Sequence, residues 1–352
     1  AQPDTQAFFY RGADWEGKET RVFAYMGIPD AAPGEKVPGV VLLHGGGGTA
    51  YPDWVRKWNS KGYAAIAIDI EAHTSDLKRH DYSGPANAGF ADFYEKPIED
   101  QWMYHTIVNA ILANNILRNQ PGVDPDKIGI NGVSWGAFST SAIIGVDDRL
   151  AFAVPVYGCG FLYDGETFWQ TRMKPVKTVW DPSNYIVNSR VPTLWLSSDH
   201  DEHFSLHSLS RSYLSNPSKS MMSVHPNLNH GMDNSWPMEV IYNFADSIVK
   251  GGAGLIKVTD VVETGNNQAV ITFSVSEGVT VSQMKLYTNN AAELLYDIGT
   301  TATPFKGNWH EYSITANNSG SVTFTIPAET KIFYVNITDH RGNLTSSPLI
   351  YR

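Results

Sequence analysis

One serine in the chain stands in a sequence pattern typical of an enzymatic nucleophile. Gly132-Val133-Ser134-Trp135-Gly136 reads G-x-S-x-G, a turn that projects a hydroxyl between a strand and a helix and leaves no room for a Cβ at either glycine. The surroundings agree, because 127–130 is typical of a strand and 137–144 of a helix. A glycine-flanked serine in an ordinary turn is the alternative. The context favours Ser134 as a nucleophile.

A serine hydroxyl becomes reactive when a base accepts its proton near neutral pH, and histidine is the natural choice. The chain has 11 histidines, and any single one is more often a packing or surface residue than a base. His230 differs, because Asn229-His230-Gly231 forms a polar loop after the predicted strand 220–225 and before a predicted helix. This chain order favours His230 as the base of Ser134.

A carboxylate must hold the imidazole of such a base in the correct tautomer. Asp201 and Asp199 both follow the predicted strand 193–196. We favour Asp201 as the acid, with Asp199 as the alternative, and the order Ser, Asp, His is then complete. The acids and histidines of 199–203 could also suggest a metal site. Adjacent ligands in an irregular segment converge poorly, however, so we predict neither a metal nor a cofactor.

Acyl transfer also needs N–H donors aimed at the developing oxyanion. His44-Gly45-Gly46-Gly47-Gly48 follows the apolar run 40–43 directly. A phosphate-binding loop is the alternative interpretation, but the Gly-Lys-Ser/Thr that should follow is missing. We therefore predict that Gly45 and Gly46, together with the N–H of Trp135, form an oxyanion hole.

The elements that must position these residues follow from the hydrophobic pattern of residues 1–253. Short apolar runs alternate with stretches of helical periodicity, which is typical of a doubly wound, mostly parallel sheet with helices on both faces. Strands are predicted at 40–43, 63–68, 127–130, 151–156, 193–196 and 220–225. Helices are predicted at 98–118, at 137–144 and from Pro237 to the glycines at 251–252. The fold class is therefore α/β.

From Leu255 onwards the pattern changes to short alternating strands, at 269–275, 321–326 and 331–338. Gly, Asn and Pro turns separate them, which predicts an all-β sandwich of the immunoglobulin-like type. We divide the chain into a catalytic domain, 1–253, and a β-sandwich domain, 254–352, with the glycine-rich 251–254 as a hinge.

The sandwich has no acid–base constellation, so we assign it no catalytic residue. A short connection keeps two domains in contact, and packing against the catalytic domain is therefore favoured over carbohydrate binding. Binding would need aromatic side chains exposed on one sheet face, although alternating strands bury about half of theirs. The candidates for such a face are Tyr287, Tyr296, Phe305, Trp309 and Tyr312.

Composition limits the partners. The formal net charge is −10, whereas nucleic acid and anionic membranes require a basic patch. No apolar stretch reaches the length of a membrane span. The single cysteine, Cys159, excludes an intrachain disulfide. We expect export to the periplasm or medium, because Ala1-Gln2-Pro3 fits the end that signal peptidase leaves. A cytoplasmic location stays open, and the oligomeric state is not predicted.

With these residues placed, the chain resembles a family. Residues 20–253 are similar to α/β-hydrolases of the acetyl xylan esterase, dienelactone hydrolase-like and cephalosporin-C deacetylase group. The resemblance lies in the glycine loop, in 54–59 and 62–69, in 156–161 and in 180–183. The acid motif of the family fits Ser198-Asp199-His200-Asp201, which supports Asp201. Dienelactone hydrolases use a cysteine nucleophile, so Ser134 argues against dienelactone as the substrate.

The resemblance implies a serine carboxylesterase that hydrolyses small acyl esters, with acetyl groups on sugars as the leading case. Aromatic faces suit sugar rings, and Tyr157, Phe161 and Trp180 are the substrate-binding candidates. A serine peptidase of the prolyl-oligopeptidase type is one alternative, although residues 1–20 are too few for the propeller of such enzymes. A carbohydrate-binding protein on an inactive hydrolase scaffold is the other.

Overall fold

The computed structural model describes residues 5–89, 95–164, 172–226, 228–290 and 309–352. Its first part is built on eight strands. They are β1 (Gln6–Arg11), β2 (Arg21–Gly27), β3 (Val37–Leu43), β4 (Ala64–Ile68), β5 (Val123–Val133), β6 (Ala153–Val156), β7 (Leu194–Ser198) and β8 (Met221–His225). Every residue of β3 and β4 is buried, as expected for strands covered on both faces.

Helices follow most of these strands in the described part of the chain. They are α1 (Pro52–Ser60), α2 (Trp102–Arg118), α3 (Trp135–Ile143), α4 (Ser183–Ile186), α5 (Leu206–Ser215), α6 (Met232–Ser235) and α7 (Glu239–Val249). The predicted helix at 98–118 begins with a 3₁₀ turn at Ile98–Asp100. Pro237 was predicted as the first residue of the last helix, but α7 begins two residues later, at Glu239.

The strand order of this part is β1-β2-β4-β3-β5-β6-β7-β8. Within this part, the series β4-β3-β5-β6-β7-β8 is parallel, whereas the β1–β2 and β2–β4 pairs are antiparallel. One hydrophobic core lies on the side of α2 and α3, around Trp102 and Phe138. A second core lies on the side of α1 and α7, around Trp58 and Phe244. The predicted α/β fold is confirmed, with the carboxyl ends of the strands gathered at one edge.

The C-terminal part, from Ile256 onwards, is all β in its described residues, as predicted. Its strands are β9 (Lys257–Gly265), β10 (Gln268–Ser274), β11 (Val281–Asn289), β12 (His310–Ile314), β13 (Ser321–Thr325), β14 (Ile332–Asp339), β15 (Leu344–Ser346) and β16 (Ile350–Tyr351). The strands β9, β10 and β13 form one small sheet. A third core, which includes Phe273, Leu286 and Val335, fills the sandwich between this sheet and the other strands.

The other face of the sandwich is a continuation of the hydrolase sheet. Among the described residues, thirteen strands form one sheet, in which β15 pairs antiparallel with β8 at Ser346 and Met222. Side chains strengthen this junction: Asn336 Nδ2 donates to the carbonyl of Val224 at 3.0 Å, and Ser223 Oγ donates to the carbonyl of Leu344 at 2.7 Å. The two parts are therefore joined by a sheet and not only by the chain.

The glycine-rich connection is also fixed in place. The guanidinium of Arg341 donates to the carbonyls of Ala253 and Gly254 at 3.0 and 2.8 Å, and it pairs with the buried carboxylate of Asp339 at 2.7 Å. These bonds hold the segment that the sequence suggested as a hinge.

Candidate active site

The predicted nucleophile lies in a tight turn between β5 and α3. Ser134 has φ 55° and ψ −119°, a left-handed conformation that costs a non-glycine residue roughly 1–3 kcal/mol. A Cβ on Gly132 would lie 2.3 Å from the carbonyl oxygen of Gly136, and a Cβ on Gly136 would lie 2.1 Å from that of Leu43. Both glycines of the G-x-S-x-G pattern are therefore required by backbone crowding.

The structure brings Ser134, His230 and Asp201 together, although they lie far apart in the sequence. His230 Nε2 is 2.9 Å from Ser134 Oγ, and His230 Nδ1 is 3.0 Å from Asp201 Oδ2. Because an ionised carboxylate only accepts hydrogen bonds, the imidazole proton belongs on Nδ1. Nε2 is then left to accept the proton of the serine hydroxyl. This is the geometry of a nucleophile, a base and an orienting acid.

Asp201 is held by its own loop, and its side chain is fully buried. Its Oδ1 accepts the backbone N–H groups of His203 and Phe204, both at 2.8 Å, and its Oδ2 accepts the hydroxyl of Ser197 at 3.3 Å. The acid is thus fixed in position before any substrate binds.

Asp199, the alternative acid, faces the other way. Its Oδ2 accepts the hydroxyl of Tyr334 from β14 at 2.9 Å, and its Oδ1 is 2.5 Å from His200 Nδ1. Its backbone carbonyl accepts the indole N–H of Trp309 at 3.3 Å. The hydrogen bond to Asp199 raises the pKa of His200. Asp199 therefore connects the loop at 199–204, the acid loop, to the C-terminal sheet and not to His230.

Aromatic rings surround the imidazole of His230. The ring of Tyr157 lies 4.8 Å away, and that of Phe204 lies nearly parallel at 6.2 Å. His203 meets the same imidazole edge-on at 4.6 Å, and burial and the proximity of His230 lower the pKa of His203. These contacts restrict the ring to the plane that reaches both Ser134 and Asp201.

The glycine loop at residues 45–48 lies close to the nucleophile. A Cβ on Gly45 would lie 3.1 Å from the Cβ of Ser134, and a Cβ on Gly46 would lie 2.6 Å from Cδ1 of Trp135. His44 anchors the loop, since its Nε2 accepts the N–H of Ile70 at 2.9 Å while its Nδ1 lies 2.6 Å from the carbonyl oxygen of Gly45. The loop backbone therefore lies against the serine.

An open cleft of about 590 Å³ leads to Ser134 and His230, a volume within the usual range for small-ligand sites. Most of its lining was not predicted from the sequence. The residues missed are Gly47, Glu71, Asn87, Ala88, Gly89, Arg172, His203 and Phe204. A signal existed for Glu71, because it follows the carboxyl end of β4, where α/β sheets bind ligands. Gly47 belongs to the glycine loop already identified from the sequence, and the remaining missed residues carry no motif.

The three aromatic residues predicted to bind substrate do not line this cleft, and that prediction needs correction. The indole N–H of Trp180 donates to Gln101 at 2.7 Å inside the core, and Phe161 is buried beneath the guanidinium of Arg211 at 4.2 Å. Tyr157 is buried behind His230, where its hydroxyl donates to the carbonyl of Asn229 at 3.1 Å. These rings fill space left by the loops and support the site from behind.

Other reactive groups lie away from this chemistry. Cys159 is buried, and burial raises the pKa of its thiol well above the usual value, so it is not a competing nucleophile. In the part of the chain that the structure describes, no three His, Cys, Asp or Glu side chains are grouped to hold a metal ion. None of the helices found there has the length and apolarity needed to cross a membrane.

Known proteins resemble this chain over the same region. The model of the dienelactone hydrolase family matches residues 22–245. The uncharacterized peptidase YuxL of Bacillus subtilis (strain 168) is 25% identical over 187 residues, which cover 47% of this chain and 26% of that protein. The chain thus matches about a quarter of the length of this relative.

Solved structures share the fold. Acetyl xylan esterase 1 from Thermoanaerobacterium sp. superposes with a TM-score of 0.53 at 15% identity, over 70% of this chain and 88% of the esterase. The acylaminoacyl peptidase of Pyrococcus horikoshii superposes with a TM-score of 0.54 at 17% identity, over 71% of this chain and 43% of the peptidase.

Proposed function

Because this chain belongs to the dienelactone hydrolase family, we propose that it is a serine carboxylesterase that hydrolyses small acyl esters, with acetyl esters of carbohydrates as the leading substrates. The observation that carries this proposal is the hydrogen-bonded series Ser134–His230–Asp201 at the end of an open cleft. Glu71, Asn87 and Arg172 give the cleft a polar lining, which suits a hydroxyl-rich alcohol better than a long acyl chain.

In the acylation step, Ser134 Oγ attacks the ester carbonyl while His230 Nε2 removes its proton. Asp201 stabilises the imidazolium and keeps the proton of Nδ1 in place. The carbonyl oxygen becomes an oxyanion, and the N–H groups of Gly45, Gly46 and Trp135 are the candidates to stabilise it. The N–H of Gly47 is engaged with Glu71 at 2.9 Å. His230 then gives its proton to the leaving alcohol, and an acyl-serine remains.

Water completes the reaction. His230 Nε2 removes a proton from a water molecule, which attacks the acyl carbonyl and forms the second oxyanion at the same N–H groups. Collapse of this intermediate breaks the bond to Ser134 Oγ, and His230 returns the proton to the serine. The products are the free acid and the regenerated enzyme.

A serine peptidase is the second candidate, which the similarity to YuxL favours. Both candidates use the same three residues, so the substrate distinguishes them. The test compares kcat/KM on acetylated xylan, acetylated xylosides, C2 to C8 p-nitrophenyl esters and fluorogenic dipeptides. We expect acetyl esters to be the best substrates and the rate to fall with acyl length. Preference for a dipeptide amide would contradict the esterase proposal. A protein that hydrolyses nothing and does not react with an organophosphorus probe would be an inactive scaffold.

A further inference from the structure

One carboxylate of the cleft, that of Glu71, accepts hydrogen bonds from the protein at only one of its two oxygens. Glu71 is only 8% exposed, yet it lies in the lining of the cleft beside Gly46 and Gly47. Its Oε1 accepts the N–H of Gly47 and the amide of Asn87, both at 2.9 Å. Within the described residues, no donor lies within hydrogen-bond distance of the other oxygen, Oε2. One oxygen of Glu71 thus holds the glycine loop, and the other is left for the cleft.

Glu71 is mostly enclosed by protein, and it reaches the surface only as part of the cleft lining. A carboxylate oxygen that accepts no hydrogen bond from the protein can accept one from a ligand in the cleft. None of the ion pairs among the described residues includes Glu71. The N–H of Gly47 and the amide of Asn87 both donate to Oε1. A donor on the ligand could therefore hydrogen-bond to Oε2. The carboxylate is therefore placed to discriminate between ligands that carry such a donor and ligands that lack it.

The proposed reaction limits where this donor lies. An acetyl group has no hydrogen-bond donor, so the donor must belong to the alcohol part of the ester. A hydroxyl group is the donor that a carbohydrate supplies next to an acetylated position. Hydrogen bonds from hydroxyl groups to charged acceptors are among the stronger ones in proteins.

We propose that Glu71 is a specificity-determining residue that accepts a hydrogen bond from a free hydroxyl of the alcohol part of the substrate. This inference rests on the proposed esterase function and narrows its substrate class to esters of polyhydroxylated alcohols. Glu71 takes no part in proton transfer. Its contribution is made while the alcohol is still attached, in substrate binding and acylation.

The test is Glu71→Gln, because glutamine keeps an oxygen that can accept from Gly47 and Asn87 but replaces Oε2 by an amide NH₂. The readout is the ratio of kcat/KM on a mono-acetylated methyl xyloside to kcat/KM on p-nitrophenyl acetate, whose leaving group has no donor. We expect the ratio to fall about tenfold or more, the usual effect of losing a hydrogen bond to a charged group. Glu202→Gln is the matched control, since Glu202 is an exposed carboxylate near His203 that does not line the cleft. Its ratio should stay within about twofold of the wild type.

Three outcomes would overturn the inference. An equal loss on both substrates would mean that Glu71 only holds the glycine loop. An unchanged ratio would mean that its free oxygen meets no substrate group. A larger loss on acetylcholine than on the xyloside would assign the carboxylate to an ammonium group instead.

A second readout separates failure of the role of Glu71 from failure of the esterase proposal. If the wild type hydrolyses neither substrate, the esterase proposal fails, and the role of Glu71 is then read from binding. Methyl xyloside should slow the reaction of an organophosphorus probe with Ser134 in the wild type but not in Glu71→Gln. Equal protection of the two proteins would overturn the role of Glu71.

Discussion

The two parts of this molecule share one sheet but use it differently. Up to β8 the inner strands are parallel, so their carboxyl ends meet at one edge, and Ser134, Asp201 and His230 arrive there from distant parts of the sequence. Beyond β8 the strands are antiparallel to their neighbours. In an antiparallel sheet the carboxyl ends of neighbouring strands lie at opposite edges. The candidate triad lies in the parallel part, at the edge where the carboxyl ends of its strands meet.

The acid loop shows how the two parts meet. Asp199 and Asp201 lie two residues apart, and each is nearly fully buried. Asp201 contacts His230 in the hydrolase part, whereas Asp199 contacts Tyr334 in the C-terminal part. Tyr334, Tyr287 and Leu349 of the C-terminal part also belong to the same core as Phe138 of the hydrolase part. This continuity supports packing as the role of the C-terminal part.

The largest expected difference in kcat is between the variants of these two carboxylates. Asp201→Asn should lower kcat about 10³–10⁴-fold, because the amide no longer fixes the tautomer of His230; a loss of about 10⁴ for the corresponding substitution is the known serine-protease example. Asp199→Asn should lower kcat less than about tenfold and mainly lower thermal stability, since it weakens a buried hydrogen bond. Steady-state kinetics and thermal unfolding of both variants measure this. The reverse order of the kcat losses would make Asp199 the acid.

Acidification should lower the free energy of unfolding through His225 in β8, the strand that pairs with the C-terminal part. His225 ends β8, and burial lowers its pKa to about 4, so it stays neutral in the folded protein while the unfolded chain takes up a proton below about pH 6.5. The unfolded state then binds more protons, and the free energy of unfolding falls as the pH drops from about 6.5 to 4. His225 contributes about 3 kcal/mol to this loss.

Replacement by glutamine should remove that contribution. In His225→Gln the side-chain amide can still donate to Ser223, which the imidazole contacts at 2.9 Å, but it does not titrate. Urea unfolding at pH 7 and pH 4.5 should show a smaller loss of stability in the variant than in the wild type. Parallel pH dependences of the two proteins would show that His225 is not the titrating group.

A smaller effect is expected from the tyrosine that links the two parts. Tyr334→Phe should lower the free energy of unfolding by about 1–3 kcal/mol, because it leaves a buried carboxylate with one donor fewer. It should also lower kcat more than it changes KM, since the loop that holds Asp201 becomes less ordered.

Tyr287→Phe is the matched control for this substitution. The rings of Tyr287 and Tyr334 stack at 4.9 Å, but the hydroxyl of Tyr287 contacts the partly exposed Glu311 at 2.9 Å. Its loss should therefore cost less than about 1 kcal/mol. If the two variants were equally stable and equally active, the link through Asp199 would have no role.

Much of the α/β part could be predicted, because β3 and β4 are buried apolar runs and α3 follows a glycine-flanked serine at the buried end of β5. Helix α5 could not, since its buried face consists largely of serines, such as Ser208 and Ser212, that hydrogen-bond within the protein instead of forming an apolar stripe. Strand β12 is exposed at four of its five positions and shows no alternation.

The order of the motifs along the chain was enough to select Ser134, Asp201 and His230, but it was not enough to predict the residues that line the cleft. The aromatic candidates Tyr157, Phe161 and Trp180 are buried by packing that only the tertiary structure determines. Glu71 and Asn87 carry no motif. The continuous sheet was also not predictable, because the pairing of β8 with β15 joins strands separated by more than a hundred residues.

Of the aromatic candidates for a carbohydrate-binding face, Tyr287 and Trp309 pack against Tyr334, and only Tyr312 is exposed among those described. Tyr296 and Phe305 lie outside the described residues.

In the proposed mechanism Ser134 carries the acyl group during turnover, and one measurement tests this step directly. The enzyme is mixed with p-nitrophenyl acetate, quenched in acid within the first turnover and digested, and the site of acetylation is located by mass spectrometry. We predict a burst of p-nitrophenol and an acetyl group on Ser134, with neither in Ser134→Ala. Hydrolysis that proceeds in Ser134→Ala at a tenth of the wild-type rate, or an acetyl group on another residue during turnover, would contradict the account.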